Sequence, residues 1–260
     1  MLIILTITTR LMRERLHDHY KSRMVNPSAF SHQQPFLAAL MDQESLSRSD
    51  LLVLLVEVFQ GGIDATATTL AFCVYYLSRN ADVQAALYEE VKDVDPAKHD
   101  LQGLRYLRAV LQETFRLRPS ASANSRILHQ DAVFSGYRVP AGTLVSSPPV
   151  VACHDERFFP ASGQFKPERW LSRLNKEETT SSPASKAKIH PYALVPFGHG
   201  ARMCPGRRLA EQEIFILLIL LTKSFKIKEI DPGKRAAAVG QVMRLNMMPD
   251  APIGVKLVPR

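Results

Sequence analysis

The sequence predicts a mainly α fold with a small β-sheet region, and three observations lead to this expectation. The segment "LLVLLVEVFQGGIDATATTLAFCVYYLS" is apolar over a stretch far longer than a strand of a globular domain. Two later segments repeat apolar residues with the period of an amphipathic helix. Between residues 125 and 150 the pattern changes to short runs broken by glycine and proline, which is typical of hairpins.

The first half of the chain is expected to be helical throughout. The opening "MLIILTITTRLMRERL" has an apolar run too short to span a bilayer. Its arginines imitate a mitochondrial transit peptide, but Glu14 and Asp18 follow closely, so an amphipathic helix of the domain is the favoured interpretation. A very long helix is expected from about Asp50 to Ser78, with Ser49 as its N-cap and Asn80 at its end. Because this helix is apolar on nearly every side, we expect it to be buried.

Further elements follow in chain order. The segments "ADVQAALYEEVKDV" and "LRYLRAVLQETFRLRP" predict two amphipathic helices, the second ended by Pro119. After the hairpin region, "PGRRLAEQEIFILLILLTKSF" predicts a long core helix that begins beside Pro205, and a strand pair is expected after Phe225. Residues 175–190, "NKEETTSSPASKAKIH", are rich in Ser, Thr and Lys and are expected to form a surface loop.

Composition limits the class of protein. The 260 residues are 46% hydrophobic, enough for one large domain or part of a larger one. The formal charge of +8 suits an acidic partner or a membrane surface, whereas the lack of any finger, RNA-binding-sheet or basic-zipper pattern predicts no nucleic-acid partner. Three widely spaced cysteines without a CxxC pair argue against a disulfide framework or a zinc site and indicate a reducing, intracellular setting. The absence of GxSxG and GxxxxGK(S/T) argues against common hydrolases and kinases.

The stretch "FGHGARMCPG" carries the most chemistry in the chain. A lone cysteine before a helix is often an inert core thiol, but here free N–H groups of the helix and Arg202 would stabilise Cys204 as a thiolate. Phe197 could wall one side of a bound group. Three glycines would let the backbone approach something flat or bulky: Gly198, Gly200 and Gly206. A thiolate supported by amide donors is the ligand that an iron porphyrin requires for O–O cleavage, and Arg202 could equally pair a propionate.

"PFGHGARMCPGRRLAE" resembles the haem-binding signature of the cytochromes P-450, FxxGxRxCxG, at all five fixed positions. The resemblance implies the C-terminal, haem-binding half of the cytochrome P-450 fold with haem b as cofactor. It also implies that Cys204 is the axial ligand of the haem iron and that Arg202 contacts a propionate. The implied cofactor-binding residues in this stretch are Pro196, Phe197, Gly198, Gly200, Arg202, Cys204 and Gly206.

Two further motifs agree with this family. "ETFR" places Glu113 and Arg116 on one face of a helix and resembles the family's ExxR motif. With Arg169 of "PERW" they are expected to form a buried triad whose role is structural.

"GGIDATATT" resembles the oxygen-activation motif (A/G)Gx(D/E)T, but Ala65 stands where the family has threonine. Two adjacent glycines are costly inside a helix, so a kink, a bound ligand or close helix packing should compensate. Asp64 is the expected proton-delivery residue. Thr66 could replace the missing hydroxyl if the helix is locally unwound, and a substrate hydroxyl or a water could also do so.

"CPGRRLAE" and "NSR" resemble the mitochondrial branch of the family, which takes electrons from a small acidic ferredoxin. In that branch two basic residues on the ExxR helix contact the ferredoxin; Arg108 matches one of them and Gln112 departs from the other. The expected partner-binding cations are Arg105, Arg108, Arg207 and Arg208, although a solvated charged face is the alternative for each. Arg126 is expected to contact a second propionate. The resemblance implies peripheral association with the inner mitochondrial membrane, although no targeting segment is identified in the chain.

The resemblance covers the C-terminal half of a usual family chain, so residues 1–260 are interpreted as part of a single domain whose N-terminal half is absent. Apolar faces of the long helix would then be exposed. The first functional hypothesis is a haem-thiolate monooxygenase that inserts one oxygen atom from O2 into an apolar, sterol-like substrate. The alternatives are an enzyme that rearranges a peroxide, suggested by Ala65, and a catalytically inactive truncated haem-binding fragment.

Overall fold

The computed structural model describes residues 2–171, 189–230, 239–244 and 246–260. It is mainly helical with small antiparallel sheets, so the fold class expected from the sequence is confirmed. The chain forms two compact units, Met1–Asp64 and Ala65–Arg260. The loop expected at 175–190 lies outside the described residues up to residue 188 and stays a prediction.

The first unit is entirely helical where it is described. Its helices are α1 (Leu2–Val25), α2 (Pro27–Gln33), α3 (Pro35–Met41) and the first half of α4 (Arg48–Arg79). Proline at the first position of α2 and of α3 suits a helix start, because no intrahelical acceptor exists there for an N–H group. The unit closes over a small core of Leu16, Phe30, Leu37, Ala38 and Leu51.

The cap of α4 differs from the one expected. Ser47, not Ser49, caps the helix: the Ser47 hydroxyl oxygen accepts from the Asp50 amide at 3.2 Å. In return the Asp50 carboxylate accepts from the Ser47 hydroxyl at 2.6 Å and from the Ser47 amide at 2.9 Å, and these two hydrogen bonds lower the pKa of Asp50. This reciprocal capping box requires a carboxylate three residues after the capping serine. Asp50 lies at that position for Ser47, whereas Ser49 has no carboxylate there. The Ser49 prediction was therefore wrong by two residues.

The burial of α4 differs between its two ends. Phe72, Cys73 and Leu77 are fully buried, as expected for an apolar helix, but Val53 and Ile63 are about half exposed, at 55% and 50%. The expectation of burial is therefore wrong for the first half of the helix. Its length and hydropathy would suffice to cross a membrane, a test that core helices of soluble proteins also pass.

The second unit packs the second half of α4 and three further helices around the main core: α5 (Ala81–Val91), α6 (Arg105–Leu117) and α8 (Arg207–Ser224). The short α7 (Pro149–Cys153) follows the hairpins. The described strands are β1 (Asn124–Ile127), β2 (Ala132–Phe134), β3 (Tyr137–Val139), β4 (Leu144–Ser147), β5 (Phe225–Glu229), β6 (Gln241–Met243), β7 (Met247–Pro249) and β8 (Val255–Pro259). They pair antiparallel as β1 with β4, β2 with β3, β5 with β8, and β6 with β7.

A buried glutamine joins α5 to the last sheet. The Gln84 side-chain amide donates to the Ile227 carbonyl and accepts from the Ile227 amide, both at 2.8 Å. Its amide nitrogen also donates to the Leu77 carbonyl at 2.9 Å. The side chain therefore pairs with β5 as a neighbouring strand would.

Gln84→Leu is expected to lower the free energy of unfolding by about 2 kcal/mol, because the buried amide and carbonyl of Ile227 lose their partner. Equilibrium urea unfolding measures the effect. The control is Gln212→Leu on the exposed face of α8, for which a change below about 0.5 kcal/mol is expected. Equal unfolding midpoints for the two variants would contradict the prediction.

Candidate active site

The three cysteines lie in different environments. Cys73 and Cys153 are buried, and burial raises the pKa of their thiols to about 12 and about 11. Neither forms an appreciable amount of thiolate near neutral pH, and thiolate is the form that binds metals. Cys204 is exposed. It is therefore the cysteine available to an external group.

The loop before α8 is organised by its own backbone. The Cys204 amide donates to the Phe197 carbonyl at 2.8 Å, and the Met203 amide donates to the Gly200 carbonyl at 3.0 Å. Gly198 and Gly200 have φ angles of +73° and +74°, which residues with a Cβ rarely adopt. These two glycines are thus required by the turn itself, in addition to any close approach of a ligand. No described atom lies within 4 Å of a Cβ built at Gly200, so that side of the loop is open.

Two cations lie on the elements that border this loop. A Cβ built at Gly198 would lie 3.8 Å from the Asn124 side-chain oxygen, which places the start of β1 against the loop. Arg126 is two residues further along β1, and Arg202 ends the short 3₁₀ turn Gly200–Arg202. Neither guanidinium has a carboxylate within 4 Å in the described part of the chain.

The residues around Cys204 provide the groups that a haem needs. An exposed thiol just before a helix, an open glycine turn and two guanidinium groups without carboxylate partners among the described residues are a suitable donor set for an iron porphyrin with anionic side chains. Phe197 and the preceding Pro196 are half-buried, and the Phe197 ring packs edge-on against Phe115 of α6 at 5.2 Å. The residues therefore fit the cofactor expected from the sequence.

The structure brings Glu113, Arg116 and Arg169 together. Glu113 is fully buried, and its carboxylate accepts five hydrogen bonds: from Arg116 Nε at 3.0 Å and Nη2 at 2.8 Å, the Lys166 amide at 2.9 Å, Arg169 Nε at 3.0 Å and Trp170 Nε1 at 2.8 Å. Sequence reasoning missed the Trp170 and Lys166 donors. Trp170 directly follows Arg169 in the "PERW" stretch, so the pattern that predicted Arg169 as a partner of Glu113 could also have predicted the Trp170 indole.

Arg116 extends this network into the loop after α7. It donates to the carbonyls of Cys153 at 2.8 Å, Ser162 at 2.6 Å and Gln164 at 2.9 Å. The helix that carries both charges is itself capped by Glu90 of α5, whose two oxygens each accept from a backbone amide of its first turn at 2.8 Å. Because these bonds join α5, α6 and the loop, the network fixes the frame behind the cysteine loop.

A family model described as cytochrome P450 matches residues 5–253 of the chain. The chain belongs to the cytochrome P450 family. It is 38% identical over 228 residues to "Cytochrome P450 302a1, mitochondrial" of Drosophila melanogaster, covering 85% of this chain and 44% of that protein. It is 33% identical over 230 residues to "Sterol 26-hydroxylase, mitochondrial" of Homo sapiens, covering 86% of this chain and 41% of that protein.

A third relative belongs to the same branch. The chain is 35% identical over 207 residues to "1,25-dihydroxyvitamin D(3) 24-hydroxylase, mitochondrial" of Rattus norvegicus, covering 76% of this chain and 38% of that protein. The expected mitochondrial-type branch of the cytochromes P450 is therefore confirmed. The chain spans about two fifths of the length of the curated relatives it matches.

The segment that resembles the P450 oxygen-activation motif lies inside an unbroken helix. Residues 61–66 are regular α-helix within α4, and Thr69 Oγ1 donates to the Ala65 carbonyl at 2.9 Å. The local unwinding that would let Thr66 replace the missing threonine is not observed. No described atom lies within 4 Å of a Cβ built at Gly61 or Gly62, so the close packing considered for this pair is not observed among the described residues.

Three of the four expected partner-binding cations of this P450, Arg108, Arg207 and Arg208, lie at a cavity of about 1090 Å³. Arg207 and Arg208 line it, together with Cys204, Pro96, Ala97, His99, Asp100, Leu101 and Gln102. Arg108 donates to the carbonyl of Gln102 in the cavity wall at 3.2 Å, whereas Arg105 turns to the Leu171 carbonyl at 3.4 Å. The two neighbours on α8 differ, because Arg207 pairs with Glu211 at 3.1 Å and Arg208 has no ion pair with a described residue.

Proposed function

We propose that this chain carries the haem-thiolate centre of a mitochondrial monooxygenase that inserts one oxygen atom from O2 into an apolar, sterol-like substrate. The observation that carries the proposal is the exposed Cys204 in the open glycine turn before α8. The names of two relatives, a sterol 26-hydroxylase and a 1,25-dihydroxyvitamin D(3) 24-hydroxylase, support the reaction and the substrate class.

The roles proposed for the chain's own residues are those that the family resemblance implies. Haem b, when bound, supplies the iron that activates dioxygen. Cys204 would ligate that iron as a thiolate, and Arg126 and Arg202 would each bind a propionate. Asp64 and Thr66, both half-buried on α4, would hold and deliver protons.

A specific observation favours a second candidate, an enzyme that rearranges a peroxide. Ala65 has no hydroxyl, and the regular helix around it does not turn Thr66 into its place. The two activities differ in their needs: a monooxygenase requires O2, a reductase and a ferredoxin, whereas a peroxide-rearranging enzyme converts an organic hydroperoxide under argon. Haem uptake without either activity would support the third reading, an inactive haem-binding fragment.

The electron donor proposed for this chain is an acidic ferredoxin that docks on the cavity surface formed by Arg108, Arg207 and Arg208. Opposite charges on two proteins mainly raise the association rate and set the orientation of docking. The net charge of +8 also suits this donor. The inner mitochondrial membrane, with peripheral attachment, is the proposed location, supported by the relatives named mitochondrial.

Replacing Arg108 and Arg208 together by glutamate is expected to raise the Kd for a mitochondrial [2Fe–2S] ferredoxin by about tenfold or more at low salt. The difference should shrink as ionic strength rises, because salt screens exposed charges. Titration of the haem-loaded chain with ferredoxin measures it. The control variant, Lys256→Glu on the exposed face of β8, changes charge away from the cavity. Equal weakening by both variants would contradict the docking surface.

A further inference from the structure

Arg207, the first residue of α8, is held from two directions. Its Nε donates to Glu211 Oε1 at 3.1 Å, and its guanidinium carbon lies 5.5 Å from the centroid of the Phe197 ring. The Glu211 side chain is only 9% exposed, whereas that of Arg207 is 47% exposed. A carboxylate with so little exposure to water is costly to bury without a cation beside it, so the ion pair with Glu211 holds the Arg207 guanidinium in one position.

Phe197 connects the fixed Arg207 guanidinium to Cys204. Its ring is bounded by the Arg207 guanidinium and by the edge-on ring of Phe115. Its carbonyl accepts the hydrogen bond from the Cys204 amide at 2.8 Å. The ring and the carbonyl belong to one residue, so a shift of the ring displaces the acceptor of Cys204. A cation over an aromatic ring contributes about 1 kcal/mol at such partly exposed sites.

The neighbouring arginine offers a matched comparison. Arg208 has the same charge and lies in the same turn of α8, and it has neither an ion pair nor an aromatic ring under its guanidinium among the described residues. It is exposed. Any effect of charge alone should therefore be the same for the two residues.

We propose that Arg207 is a positioning residue for Cys204: held by Glu211, it clamps the Phe197 ring and so fixes the loop that presents the thiol. The inference rests on the proposed function for its consequence, the retention of iron on the thiolate. Of the two arginines that line the proposed docking surface, Arg207 therefore also holds the loop, whereas Arg208 faces only the electron donor.

Hydrogen exchange of the loop amides in the haem-free 260-residue chain tests the clamp directly. Arg207→Ala is expected to speed exchange of the Cys204 amide about fivefold, and Arg208→Ala is expected to leave it unchanged. Glu211→Gln should reproduce the effect of Arg207→Ala, and combining the two changes should add little, because both break one unit. Thermal unfolding of each variant reports its global stability. If Arg207→Ala unfolds, the comparison is made between Glu211→Gln and Arg208→Ala.

The haem-loaded chain allows a second, spectroscopic test of the role of Arg207. In the reduced carbon monoxide complex, Arg207→Ala should convert part of the red-shifted Soret band to the unshifted band of a lost thiolate, while Arg208→Ala retains the full band. Equal exchange rates and equal spectra for the two arginine variants would overturn the clamp. The proposed function fails separately, if Cys204→Ala leaves the spectrum of the loaded chain unchanged.

Discussion

Cys204→Ala is expected to abolish the strongly red-shifted Soret band that the reduced, haem-loaded chain shows with carbon monoxide. The band requires a thiolate ligand on the iron, and Cys204 is the exposed thiol of the chain. The other two cysteines cannot replace it, because burial raises the pKa of both and encloses them in the core. The measurement is a carbon monoxide difference spectrum after reconstitution with haem and reduction.

Cys73→Ala serves as the matched control, since it removes a buried thiol and leaves the loop before α8 intact. We expect it to keep the red-shifted band at a cost of about 1 kcal/mol in stability. A red-shifted band in Cys204→Ala would exclude Cys204 as the ligand, and its equal loss in Cys73→Ala would contradict the distinction between the loop thiol and the core thiol. A parent chain that takes up no haem would leave the family membership standing and would contradict the haem-thiolate centre proposed for this chain.

Glu113→Ala is expected to lower the free energy of unfolding by about 3 to 5 kcal/mol, which is a large fraction of the stability of a typical domain. The substitution leaves the fully buried Arg116 without a counter-charge and removes the acceptor of five hydrogen bonds. The loss should appear in the haem-free chain, because the role assigned to Glu113 is structural. Far-UV circular dichroism during urea unfolding measures it.

An exposed ion pair provides the comparison for Glu113. Asp131 and Arg138 on the β2–β3 hairpin pair at 2.7 Å, but both side chains are largely in solvent. Asp131→Ala should cost less than about 1 kcal/mol, because water and salt screen such pairs. If Glu113→Ala costs no more than Asp131→Ala, the buried network does not hold the fold together as described.

Local patterns predicted most of the elements. The long helix was expected from about Asp50 to Ser78 and runs from Arg48 to Arg79, since apolar periodicity and end signals are written into adjacent residues. The choice of Ser49 over Ser47 failed because the two serines, separated only by Arg48, are distinguished by the carboxylate that Asp50 places three residues after Ser47. The half-exposed start of the helix could not be predicted from its own composition, because burial depends on what packs against it.

The sequence by itself determined the family, the cysteine proposed as ligand and the order of the elements, because each depends on residues within about ten positions of one another. Only the tertiary structure decided which distant groups meet. Gln84 pairs with Ile227, and the Glu113 carboxylate accepts a hydrogen bond from the Trp170 indole. The residues of each pair are so far apart in the sequence that no local pattern predicts the contact. Arg207 and Arg208 look alike in the sequence, and it is the position of Glu211 and Phe197 around the first turn of α8 that makes one a clamp and leaves the other to solvent.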